Sequence, residues 1–181
     1  ILSNLGVAAY LSGKLELYVL IALLRVKLTL EDGNHPYSAV ALTEYSLTLC
    51  GPGTYKRAYA LGSSGVRLCD KWGSLSLFQK STSFHVFANF VSLWSRHIKE
   101  SQYYNDLGYQ AGLDSGNLIY AGYILLNQPL NLLYQGSPLK TISEKIITNI
   151  DFQKKSKNDF VLITLFFIKI VTVGFLIFEV S

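Results

Sequence analysis

Glycine and proline punctuate this chain at Gly13, at Gly33 and Pro36, across Gly51-Pro-Gly53, at Gly73, at Gly116 and from Gly136 to Pro138, and most stretches between two marks have the length of a single helix. Glycine closes a helix because it enters the left-handed conformation without a Cβ penalty, and proline opens one because its missing N–H would go unpaired in the first turn anyway. Short helices joined by tight corners must bury their apolar stripes against one another. The punctuation therefore predicts an all-α fold of antiparallel helical hairpins.

The apolar spacing between the marks agrees. Residues 1–12 and 15–30 read as a first hairpin, the second helix carrying Leu17, Leu20, Ile21, Leu24 and Leu28 on one stripe. Further helices are predicted over 37–50 and 55–70, where Gly62, Ser63 and Gly65 weaken an isolated helix and imply that a neighbour approaches closely. A long helix over 76–96 and another over 98–114 follow. The turn Asp114-Ser-Gly-Asn117 then lets Gly116 take positive φ and Asn117 cap a helix over 117–135, bent at Pro129. Residues 139–152 complete the series. Successive helix pairs of roughly 34 to 45 residues have the period of a tetratricopeptide-like array. The strict repeat signature is absent, so the expectation is a degenerate TPR-like stack over residues 1–155, with an apolar tail over 156–181.

With 181 residues the chain is long enough to bury a core and too short for more than one or two domains. Half of it is apolar and only 15% is charged, well below the roughly 25% usual in soluble domains. Such a surface calls for partners. The net charge of +4 is spread among acidic residues, and only Lys154-Lys155-Ser156-Lys157 is dense, which reads as a solvated connector. Nucleic acid needs a longer basic stripe, so no nucleic-acid partner is expected. Cys50 and Cys69 lie in apolar runs and read as buried, reduced thiols, which suits a cytoplasmic setting. Without an initiator methionine or a basic leader, the chain reads as a fragment of something longer.

No catalytic constellation emerges. Gly51-Pro-Gly-Thr-Tyr-Lys56 lacks the Gly-Lys-Ser/Thr that opens the helix of a phosphate loop, and reads as an interhelical turn. His97 and Glu100 share a helical face at i and i+3, but no facing carboxylates accompany them. His85 among Phe84, Val86 and Phe87 reads as a hydrogen-bonded packing residue, and His35 before Pro36 as a solvated loop residue. The expectation is a non-enzyme without metal or cofactor. Tyr103, Tyr104, Tyr109, Tyr120, Tyr123 and Tyr134 are the candidate interaction surface, since helical arrays display tyrosines in their grooves; interhelical packing is the competing account of the same residues.

Five stretches carry a resemblance: residues 4–9; Gly33-Asn34 with 38–51; Ala58-Tyr-Ala-Leu-Gly62 to Leu68; Ser92-Leu-Trp94 to Glu100; and Gly108 to Tyr123. In this order they resemble the helical region between the ATPase and sensor portions of large bacterial signalling proteins. Those proteins combine a serine/threonine kinase, an AAA-type ATPase, a GAF domain and a sensor histidine kinase. Where that family has Gly-Tyr-x-Phe-Gly this chain has Ala58-Tyr-Ala-Leu-Gly62, and where it has Glu-Thr-Gly-Asp this chain has Asp114-Ser-Gly-Asn117. Both exchanges keep the packing or turn chemistry. The resemblance implies a non-catalytic interaction and signal-relay segment whose partners are a protein or the adjacent domains of a parent chain.

The resemblance ends near Phe160. Residues 160–180 are about as long as a bilayer-spanning helix, with Lys154, Lys155 and Lys157 on the expected cytoplasmic flank and Lys169 against it. A membrane span, a buried last helix and a truncated end are the three readings. The first makes the chain a small single-pass membrane protein with a partner-binding helical head, anchored through its C-terminal segment.

Overall fold

The computed structural model describes the backbone of residues 2–179 and the side chains of residues 2–174, and every regular element in that span is helical. The elements are α1 (Leu2–Leu11), α2 (Leu15–Asp32), α3 (Pro36–Cys50), α4 (Tyr55–Trp72), α5 (Leu77–Val86), α6 (Glu100–Ser115), α7 (Leu118–Tyr134), α8 (Leu139–Ser156) and α9 (Asp159–Glu179).

The corners form as the punctuation dictates. Gly13, Gly53, Gly116 and Gly136 all have positive φ. After α1, Lys14 N–H reaches back to the Ala9 carbonyl at 2.9 Å and Gly13 N–H to Tyr10 at 3.0 Å, which pairs two carbonyls a helix end leaves open. Pro36 occupies the first turn of α3. His35 caps that helix, its Nδ1 accepting from Tyr37 N–H at 3.4 Å while the Ser38 hydroxyl accepts from His35 N–H at 3.0 Å. His35 is exposed in the loop before Pro36, as expected, and its ring also caps the helix.

Small residues set the spacing of α3 and α4. Ala58, Gly62, Gly65, Val66 and Cys69 form the inner stripe of α4. A Cβ on Gly65 would lie 2.8 Å from the Ala39 carbonyl, and one on Gly62 would lie 2.8 Å from both Phe87 and Ser46. The close neighbour expected at these glycines is α3, joined by the segment after α5. Phe84, Phe87, Val91 and Cys69 close this first core, and Ile142, Ile146, Ile150, Val161 and Leu165 form a second between α8 and α9.

Contacts run in two series. α3 packs with α4, α5 with α6, α7 with α8 and α8 with α9; in addition α3 meets α5, α5 meets α7 and α7 meets α9. α1 and α2 pair with each other, and α2 lies on α3 through the buried Arg25–Glu44 ion pair. No helix among the described residues is long and apolar enough to cross a membrane. The end of the segment 160–180 lies outside the described residues.

Three expectations are corrected. The helix anticipated over 76–96 is a short 3-10 turn (Gly73–Ser76), α5, one π-helical turn (Phe87–Val91) and a 3-10 turn (Ser92–Trp94). Asn117 does not cap α7 with its side chain; it is buried and donates Nδ2 to the Phe78 carbonyl at 3.0 Å and to Thr82 Oγ1 at 3.3 Å, tying the α6–α7 corner to α5. His97 and Glu100 do not share a helix, because α6 begins at Glu100 and His97 lies in the preceding turn, where its Nδ1 accepts from Lys99 N–H.

Candidate functional site

The π-turn is where the molecule departs most from regular helix, and a cleft opens beside it. An extra residue in a helical turn leaves a carbonyl without its i+4 partner. Here the Ala88 carbonyl is taken by two side chains, Ser101 Oγ at 2.7 Å from α6 and Ser92 Oγ at 3.3 Å. The bulge turns Asn89 into the interior and Phe90 outward, and Trp94 follows on the 3-10 turn.

The cleft has a volume of about 480 Å³ and is lined by Leu47, Cys50 and Gly51 at the end of α3, Tyr55 at the start of α4, and Asn89, Phe90, Leu93 and Trp94. Tyr55 and Trp94 stack with centroids 5.1 Å apart and planes 7° apart, forming one rigid aromatic wall. The Trp94 indole N–H donates to the Phe90 carbonyl at 3.1 Å, so the exposed indole is held in place. The cleft is wide open to solvent and mostly apolar, which suits an anchoring side chain of a partner and not an enclosed small ligand.

Asn89 is the polar floor. Its Nδ2 donates to the His85 carbonyl and to Asn105 Oδ1, each at 2.9 Å, and its Oδ1 accepts from Asn105 and Asn131 at 3.1 Å. All three asparagines are buried, and they come from the π-turn, α6 and α7. A buried amide network is costly when any member is unpaired, so this node fixes three elements in one register. Sequence reasoning misses it. The available signal is an asparagine set inside an apolar helical run, as in Phe87-Ala-Asn89-Phe-Val91 and Leu130-Asn131-Leu132, where the amide has to find buried partners.

The titratable neighbours keep one charge state through the neutral range. His85 is buried against the rings of Phe90, Tyr120 and Tyr123, and burial pulls its pKa down to about 3. It is a packing residue, as its sequence neighbours imply. Burial pushes the Cys50 thiol above its ordinary value and the Cys69 thiol up to about 11; both cysteines are free and buried. Among the described residues no group of His, Cys, Asp and Glu is placed to hold a metal ion.

The six tyrosines divide. Tyr103 and Tyr104 meet edge to face at 5.2 Å, Tyr103 exposed and Tyr104 folded onto Phe84 and Phe87. Tyr120 and Tyr123 meet at 5.6 Å over His85. Tyr109 lies edge-on to Phe152, and Tyr134 is exposed at the end of α7. Tyr104, Tyr109, Tyr120 and Tyr123 thus pack between helices, while Tyr103 and Tyr134 face outward at separate places. None lines the Trp94 cleft. Comparison of the chain with protein-family models, with curated proteins and with solved structures yields no match.

Proposed function

We propose that this chain is a non-catalytic, TPR-like helical-repeat segment that docks a protein partner or an adjoining domain and relays the event. It would act within a multidomain kinase and ATPase signalling protein of the kind its sequence resembles. The observation that carries the reading is the succession α3, α5, α7, α9, each touching the next, with α4, α6 and α8 packed alongside and α8 shared by α7 and α9. In a stack of that kind each unit contacts only its neighbours, and a small shift at one hairpin propagates as curvature.

The cleft and the asparagine node supply a route for the relay. An apolar side chain seated between Leu47 and the Tyr55–Trp94 wall presses on the π-turn, and Asn89 links that turn to α6 and α7. A ligand that prefers one packing of the turn biases the attached helices by its difference in affinity for the two arrangements. The free, buried cysteines support a cytoplasmic setting. The rival account, a single-pass membrane protein with a helical head, must strip the fully buried Val161 and Leu165 from α8, and that contact favours the array. The test is deletion of residues 33–155 from the intact parent protein: altered kinase or ATPase output supports the relay, and unchanged output overturns it.

A further inference from the structure

Among its described side chains α9 buries one side and leaves the other largely open, its Phe160 ring meeting Tyr123 edge-on at 6.4 Å. Val161, Leu165 and Thr172 are buried, the first two in the core shared with Ile142, Ile146 and Ile150 of α8. On the other side Phe160, Ile163, Phe167 and Ile170 stand 65 to 71% exposed. Their spacing of i, i+3, i+7 and i+10 aligns them in one stripe.

The stripe is apolar in a particular way. The Thr164 hydroxyl within it is spent on the Phe160 carbonyl at 2.8 Å, so the side chain adds no free hydrogen-bonding group. A folded protein partner is normally held in register by a polar rim and direct hydrogen bonds; acyl chains need neither. At the corner where α9 begins, Lys154 and Lys155 in the last turn of α8 and Lys157 in the turn are all exposed. Across residues 139–174 six lysines face three carboxylates, Glu144, Asp151 and Asp159. An apolar phenylalanine and isoleucine stripe with lysines at its N-terminal end brings together the two attractions that hold a helix on a membrane interface, buried apolar area and positive charge towards anionic lipid.

We propose that α9 docks along an anionic lipid surface, its Phe160–Ile163–Phe167–Ile170 stripe entering the acyl boundary and Lys154, Lys155 and Lys157 meeting the headgroup phosphates. The inner side of α9 stays on α8, so the helix lies on the bilayer and does not cross it. This goes beyond the docking function above and does not depend on it.

The experiment is flotation of the whole chain with phosphatidylcholine vesicles, with and without a third of phosphatidylserine. Flotation only with the anionic vesicles, and release by alkaline carbonate, are expected. Changing Lys154, Lys155 and Lys157 together to glutamine should weaken binding roughly a hundredfold, since each lysine near such a surface contributes about one factor of five. Phe167→Ser should abolish binding with an unchanged circular dichroism spectrum. Failure to float, equal flotation with neutral vesicles, or retention after carbonate overturns the proposal. So does a concentration-dependent dimer lost in Phe167→Ser, which assigns the stripe to a second copy of the chain.

Discussion

Gly65 shows how little room the α3–α4 contact leaves. Alanine there would gain up to about 1 kcal/mol of helix propensity, but its Cβ would meet the Ala39 carbonyl at 2.8 Å and Thr43 Cγ2 at 2.9 Å. A helical carbonyl cannot swing aside as a side-chain tip can. Gly65→Ala is therefore expected to lower stability by about 1 to 2 kcal/mol, read as a reduced urea midpoint. Gly6 is the control: its nearest neighbour would be Ile21 Cγ2 at an ordinary 3.6 Å, and Gly6→Ala should be neutral or raise the midpoint. His85 makes a second residue-scale prediction. Its folded pKa of about 3 lies below the unfolded value of about 6.5, so the unfolded chain binds the extra proton. The stability it supports is complete above pH 6.5 and declines as pH falls from there towards 3, by about 1.4 kcal/mol per pH unit. His85→Gln should remove that part of the acid sensitivity, seen as a flatter dependence of the unfolding free energy on pH than in the parent chain.

At the scale of elements, α7 contains Pro129, which cannot donate to the carbonyl four residues back. That carbonyl belongs to Leu125, and Asn149 of α8 donates Nδ2 to it at 2.6 Å. The proline and the asparagine thus answer each other across two helices. Asn149→Ala should cost about 1 to 3 kcal/mol with Pro129 present and distinctly less in a Pro129→Ala background, where the helix satisfies its own carbonyl; a double-mutant cycle by chemical denaturation measures the coupling. Most helix limits were legible in the sequence because they rest on local chemistry: glycines free to take positive φ, and Pro36 able to start α3. The π-turn was not. Phe87-Ala-Asn-Phe-Val91 continues an ordinary helical pattern, and the extra residue is accommodated by Ser101 and the Asn89–Asn105–Asn131 node, partners 13 to 42 residues away in sequence whose pairing only the fold determines. The cleft depends on that turn, so Trp94 was visible as a residue and its site was not. Asn117 is a similar case, since its capping propensity is real but the buried Phe78 carbonyl lies within reach.

Across the whole molecule, stability is unevenly distributed. α2 buries only Tyr18, Ile21, Ala22 and Arg25, and leaves Leu17, Leu20, Leu24 and Leu28 exposed. Its polar attachments to α3 are the Thr29 Oγ1–Ser38 Oγ hydrogen bond at 3.1 Å and the Arg25–Glu44 pair, in which desolvation raises the Glu44 pKa and one Arg25 terminal nitrogen has no partner. Such a pair adds little net stability but is costly to break from one side. Arg25→Met should destabilise the α2–α3 contact by about 3 to 5 kcal/mol, whereas Arg25→Met with Glu44→Leu should recover most of the loss. Amide exchange should show α1 and α2 opening before α3 to α7 in every variant, and earliest in the single one. The stacked pair at the cleft mouth has an optical consequence as well. Only two tryptophans are present, so replacing Trp72 with phenylalanine leaves Trp94 as the sole indole emitter, its ring fixed against Tyr55 and its edge open to water. Anything that enters beside it must shed that water and shift the emission to the blue, giving the chain a built-in fluorescent gauge of occupancy.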